Sequence, residues 1–270
     1  MARAGCMGEI PVSVQSVLNE YMTLLNERLP NTLVGLYLHG SIALDAYVEH
    51  SSDIDFLTII NHRLSTSEAA VLYEIHQSIA SSSKPKMDGH YLLQEEIGSQ
   101  AEGLYYNGGQ LHDKTVVNPV TWWILKNKGI AVLGEELNIA VDRMDLLSYV
   151  SENINTYRAD RIRKIEDSDP ILQLPKEILD EEIQWSILGI LRQYYTLREH
   201  DIISKLGAGE YALEHVPEEW HTIINEAAQI RNGMRQTVFE SEQKRLNTAS
   251  SFMEYILKES ANIFAKGMKK

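Results

Sequence analysis

Apolar residues recur at helical spacing over Val12–Leu29, where Val14, Val17, Leu18, Tyr21, Leu24, Leu25 and Leu29 share one face. Thr32–Leu38 (TLVGLYL) and Asp53–Ile60 (DIDFLTII) are short apolar runs bounded by turn residues, which predicts buried strands. The 3.6-residue period returns over Thr66–Ile79, with Thr66 or Ser67 as the expected N-cap. After a polar break at Ser81–Pro85, Met87–Gln94 reads as a third strand. Gly103–Lys114 holds three glycines and reads as a loop or hairpin, and Asn118-Pro119 opens a helix over Val120–Lys128. From Asp145 onward strand signals all but vanish. Amphipathic stretches predict helices near 145–166, 178–199, 204–215, 218–231 and 238–268, with Asp167–Pro175 the clearest break and Lys266–Lys270 a frayed basic end. The pattern implies an α+β protein: a mixed-sheet domain over 1–157 and an α-helical bundle domain over 158–270.

Composition narrows the function. Apolar residues are 44% and charged residues 23% of the 270, enough core-forming side chain to exclude disorder as the dominant state. Lys and Arg number 25 against 38 Asp and Glu, a net charge of −13. That balance argues against a nucleic-acid footprint and suits a small cationic substrate, which the summed field attracts. A single cysteine, Cys6, offers neither an internal disulfide nor a thiolate cluster. The start lacks a signal-peptide apolar region, and no run approaches the length of a spanning helix, so a cytoplasmic location away from membranes is expected. Neither half shows a spare apolar face, which predicts a monomer.

The chemistry concentrates in Leu38-His39-Gly40-Ser41 and, after eleven residues, Asp53-Ile54-Asp55-Phe56. Asp53 and Asp55 alternate along a strand, so both carboxylates point to one face, about 7 Å apart. Such a pair repels itself without a cation between, and an all-oxygen site suits Mg²⁺, which takes one or two carboxylates plus substrate phosphates. Gly40 lets a phosphate approach the backbone, and Ser41 offers a hydroxyl and an N–H at a helix start. His39 reads as a packing residue.

In this combination the sequence resembles the nucleotidyltransferase superfamily, whose signature is a strand, G-S, a short helix and D-x-D on the next strand. Such enzymes need a third carboxylate on the neighbouring strand; Asp88 is the candidate, with Glu95 and Glu96 as competitors at the strand's far end. The whole chain is similar to the aminoglycoside adenylyltransferases that modify spectinomycin and, in some members, streptomycin. The similarity runs through Gly40-Ser41, Ser52-Asp53-Ile54-Asp55, Asn118-Pro119, Ile130–Leu137 (IAVLGEEL), Ile190–Tyr195 (ILRQYY) and Ile203-Ser204-Lys205. It implies Mg²⁺-dependent transfer of AMP from ATP to the 9-hydroxyl of spectinomycin, with two Mg²⁺ ions on Asp53 and Asp55. Asp88 is then the catalytic base and a further metal ligand. Gly40, Ser41 and Ser52 bind the nucleotide, Arg192 and Lys205 bind the ATP phosphates, and Glu182 with Asp88 meets the drug; the helical domain completes the ATP and substrate cleft. Glu182 and Arg192, ten residues apart on one helix, lie about 15 Å apart along its axis and roughly 80° apart around it. Asp180 or Glu181 could add anions beside Glu182.

Three departures accompany the resemblance. Gln173 and Ile178 stand where members acting on streptomycin carry tryptophan and aspartate, which argues against that drug. Arg231 replaces a tyrosine associated with the nucleotide, and Asp88 replaces glutamate. A catalytically idle relative, or an adenylyltransferase for another antibiotic or a protein, remains compatible with the same residues.

Overall fold

The structure, a computed structural model, describes residues 10–82, 85–166 and 172–267; Cys6, most of the expected break at Asp167–Pro175 and the last three residues of the basic tail lie outside the described residues. The chain forms two compact units, Met1–Val141 and Asp142–Lys270.

In the first unit, the 3.6-residue pattern folds as α1 (Val12–Arg28) and the apolar runs as β1 (Leu33–Leu38) and β2 (Ile54–Ile60), separated by the four-residue helix α2 (Gly40–Ala43). Helix α3 (Thr66–Ser82) follows, then β3 (Met87–Leu93), β4 (Glu102–Asn107), β5 (Gln110–Val116), α4 (Pro119–Lys128) and β6 (Ile130–Leu133). The strands make one sheet in the order β5-β4-β3-β2-β1-β6. Strands β2 and β3 run parallel across the helix α3, whereas the other described neighbours are antiparallel. The sheet is therefore mixed, as the pattern predicted. Its apolar side chains divide between two clusters. Phe56, Tyr91 and Tyr106 pack with Val14, Tyr21, Leu72 and Ile75 of α1 and α3, while Leu57, Ile59 and Leu92 pack with Trp122 and Leu125 of α4.

Local chemistry explains the borders. Helix α3 is capped by Ser65, not by Thr66 or Ser67. The Glu68 N–H donates to Ser65 Oγ at 3.3 Å and the Ser65 N–H to Glu68 Oε2 at 2.8 Å, a reciprocal pair that the S-x-x-E spacing encodes. Asn118 caps α4 by accepting from the Thr121 N–H at 3.0 Å, with Pro119 in the first turn where its missing N–H costs nothing. The Gly103–Lys114 region is a hairpin. Its turn is Gly108-Gly109, both at positive φ, the backbone that two-residue hairpin turns require. Strand β6 had no sequence expectation: four residues at the sheet edge are too few to show alternation.

The regular elements of the second unit's described residues are all helical: α5 (Arg143–Asn153), a π-turn at Ile154–Arg158, α6 (Ala159–Glu166), α7 (Lys176–Glu199), α8 (Lys205–His215), a 3-10 turn at Glu218–Trp220, α9 (His221–Arg231) and α10 (Glu242–Gly267). Ile187, Leu188, Ile190, Ile223, Ile224, Phe252 and Met253 form its core. The unit begins at Asp142, ahead of the 157/158 boundary set from sequence, because α5 packs against α7. No helix among the described residues is long and apolar enough to cross a membrane.

Candidate active site

Strand pairing places the carboxylates. Asp55 on β2 and Asp88 on β3 are direct partners in the parallel register, so their side chains share a face. Asp53, two residues before Asp55, points the same way and is exposed at the strand's start. Burial raises the Asp88 carboxyl to about 6, helped by the nearby charges of Asp55 and Asp53 and opposed by hydrogen bonds from Tyr105 and Asn107. Glu95 and Glu96 lie past the end of β3 in a short 3-10 turn, and Glu96 pairs with Arg63. Of the three candidates for the third carboxylate, Asp88 is the one the fold sets beside Asp55.

Gly40 is fixed by this geometry. Its φ is +59°, and a Cβ built there would stand 1.7 Å from Asp55 Oδ2. The strand-to-helix turn thus wraps directly over the carboxylate, and the His39 N–H donates to the Asp55 backbone carbonyl at 3.0 Å to hold it there. His39 itself is buried and held near 4 by desolvation, so it is a neutral packing residue at neutral pH, as expected. The Ser41 hydroxyl is buried without a protein partner. Ser52, also buried, is engaged: its Oγ accepts from the Val48 N–H at 3.0 Å and closes the loop before Asp53.

The donor set is all oxygen, and three carboxylates close enough to repel one another electrostatically are the arrangement a cation would relieve, so these residues fit Mg²⁺. Among the described residues, however, no three His, Cys, Asp or Glu side chains are gathered into a metal-holding group. Asp88 is held by β4 instead, where Asn107 Nδ2 donates to its Oδ2 and also approaches the Tyr105 hydroxyl at 3.1 Å. Tyr105 and Asn107 were not foreseen. Their signal was the alternation of Tyr105 and Asn107 ahead of the Gly-Gly turn, which puts both on the Asp88 face once the hairpin is recognised. A cavity of about 360 Å³ opens at this end of the sheet, lined by Asp53, Lys86, Asp88, Tyr106, Asn107 and Gly109 among others.

In the helical unit, Arg192 lies on α7, its Nε donating to the Ile203 carbonyl at 2.9 Å, and Lys205 opens α8, which Ser204 caps through the Gly207 N–H at 3.0 Å. Glu182, also on α7, pairs with Arg161. Asp180 is structural: it is fully buried and bonded to Arg245 at 2.8 Å and Lys176 at 3.0 Å, which removes it as a drug ligand. Glu181 pairs with Arg235 at 2.6 Å. Gln173 and Ile178 are exposed. Trp185, which sequence reading passed over, lies under the guanidinium groups of Arg158 and Arg161.

Residues 158–259 match the family model of the aminoglycoside adenylyltransferase C-terminal domain. Among solved structures the chain is similar to spectinomycin adenyltransferase AAD(9) from Enterococcus faecialis, crystallised with ATP and spectinomycin. The TM-score is 0.68 at 19% identity, covering 90% of this chain and 99% of that one. At that identity the likeness speaks to fold. No curated protein matches the chain.

Proposed function

We propose that the chain, whose residues 158–259 match the aminoglycoside adenylyltransferase C-terminal domain, is a nucleotidyltransferase of that kind and moves AMP from ATP to a hydroxyl of a cationic aminocyclitol, with spectinomycin and its 9-hydroxyl as the acceptor. The observation that carries the proposal is the pairing of Asp55 with Asp88 on one face of the parallel β2–β3 pair, with Asp53 just ahead of β2 within electrostatic reach of Asp88 and Gly40 closing over Asp55.

The attacking hydroxyl must lose its proton as the oxygen bonds to the α-phosphorus and pyrophosphate leaves. Asp88 is the base suited to take it. Burial, with the neighbouring carboxylates of Asp55 and Asp53, makes its carboxylate a better proton acceptor than an ordinary exposed aspartate. Asn107 and Tyr105 keep that carboxylate on one orientation. Asp53 and Asp55 would hold Mg²⁺, two ions by the family resemblance, with Asp88 as a further ligand; bound there, the metal neutralises charge on the phosphates. Gly40 and Ser41 give the nucleotide access to the backbone and to an unpaired hydroxyl, with Ser52 fixing the loop behind them. Arg192 and Lys205 serve the phosphates. Glu182, with Asp88, serves the cationic acceptor. Its partner Arg161 is a partly exposed ion pair, worth about 1 kcal/mol or less, which a drug ammonium can displace. Gln173 and Ile178 supply neither ring nor carboxylate for a guanidinium, which favours spectinomycin over streptomycin.

The test is transfer of label from ATP carrying a radioactive α-phosphate, in Mg²⁺, to a panel of aminoglycosides. AMP-spectinomycin is the expected product, with streptomycin at a small fraction of its rate. ATP binding without transfer to any member of the panel would instead support an idle relative.

A further inference from the structure

Arg158 is a cation built into the helical unit without a counter-charge among the described residues. It is 7% exposed, and its Nη1 is buried with no hydrogen-bond partner. What holds it is neutral. Its Nε donates to Gln193 Oε1 at 3.1 Å, and Gln193 is itself steadied by donating to Asn153 Oδ1 at 2.6 Å. The guanidinium lies 4.5 Å from the Trp185 ring centroid. Gly189 makes the room: a Cβ there would stand 2.4 Å from Arg158 Nη2. The residue closes the π-turn Ile154–Arg158, an irregularity that interrupts an otherwise continuous helix and is found often at functional sites.

A purely structural arginine in such a place is normally paired, because an uncompensated buried charge is among the costliest groups a fold can hold. Here the neighbours make matters worse: burial, with the charges of Arg161 and Arg192, pulls the guanidinium down to about 10. Three cations within electrostatic reach, of which Arg161 is paired to Glu182, concentrate positive potential where Nη1 is unpaired. The missing component is an anion. A bidentate oxyanion such as a phosphate matches the fork of a guanidinium.

We propose that Arg158 is a polyphosphate ligand, acting beside Arg192 to bind the phosphate chain of the nucleotide. The inference rests on the nucleotidyltransferase reading for the identity of the anion, and on the cradle of Trp185, Gly189 and Gln193 for its place. Arg192 was a candidate through the family resemblance; Arg158 was not, because only the π-turn brings it there.

The experiment is calorimetric titration of the full-length protein with inorganic tripolyphosphate and, separately, with ATP, in wild type, Arg158→Gln and Arg163→Gln. Arg163 is an exposed arginine on α6 paired with Asp160, so it controls for net charge. Arg158→Gln is expected to weaken both ligands about tenfold, the scale of one charge-assisted hydrogen bond, with Arg163→Gln within about twofold of wild type. If Arg158→Gln does not fold, Gly189→Ala keeps the charge but displaces the guanidinium, and is expected to lose affinity in the same direction. In steady-state assays the KM for ATP should rise with little change in kcat. A folded variant of either kind that binds tripolyphosphate and ATP as wild type does overturns the inference. If no aminoglycoside accepts AMP yet tripolyphosphate binding still depends on Arg158, the acceptor assignment fails and this one stands.

Discussion

Each carboxylate and glycine of the site has one consequence that can be measured. Asp53→Asn or Asp55→Asn should cut AMP transfer at least about 100-fold, since each would remove a metal ligand. In metal-free buffer the same variants should melt no lower than wild type, because each removes a like charge near Asp88; a variant that loses activity only by unfolding would contradict this. Gly40→Ala has two penalties, positive φ and collision with Asp55 Oδ2, and should destabilise by about 1–3 kcal/mol in chemical denaturation while abolishing transfer. Arg161→Ala should lower the KM for spectinomycin by freeing Glu182, whereas Glu182→Gln should raise it; equal KM values for both variants and wild type would remove Glu182 from the acceptor site.

At the scale of elements, α3 carries its own pH signature. Glu68 is held down to about 2 from an ordinary 4.5 by hydrogen bonds from Ser65, with His62 adding to them. A carboxyl with a lowered folded pKa contributes stability above its unfolded value and loses it as pH falls toward the folded one. The difference in melting temperature between wild type and Glu68→Gln should therefore be constant near neutrality, shrink below about pH 4.5 and be gone near pH 2. The cap's position illustrates how a local pattern is read to within a residue and no better. Ser65, Thr66 and Ser67 are all capable caps, and the choice falls to Ser65 because only it has a glutamate three residues on. The β4–β5 hairpin shows the opposite case. Its strands are short, so the sequence left loop and hairpin both open over Gly103–Lys114, although the Gly108-Gly109 turn was in plain view.

At the scale of the whole molecule, the helical unit is anchored by a buried charge cluster: Arg245 bonds Asp180 at 2.8 Å, Glu242 at 3.0 Å and Glu226. Arg245→Met would strand two buried carboxylates and should cost about 3–5 kcal/mol, read as loss of the helical unit's cooperative transition; a variant as stable as wild type would show that the cluster is replaceable by packing. The sequence by itself determined the helices, β1 to β3, the mixed α+β class and the D-x-D carboxylates. Those depend on periodicity, capping and alternation over a few neighbouring residues, which are written locally. What the tertiary structure decided was which distant groups meet. Strand register set Asp88, not Glu95 or Glu96, beside Asp55, and the hairpin brought Tyr105 and Asn107 onto it. Helix packing withdrew Asp180 into the charge cluster and laid Arg158 on Trp185 over Gly189. The fates of Asp180 and Arg158 have no local signature, because a buried ion pair and a ligand-binding charge use the same residues and differ only in what the fold packs against them.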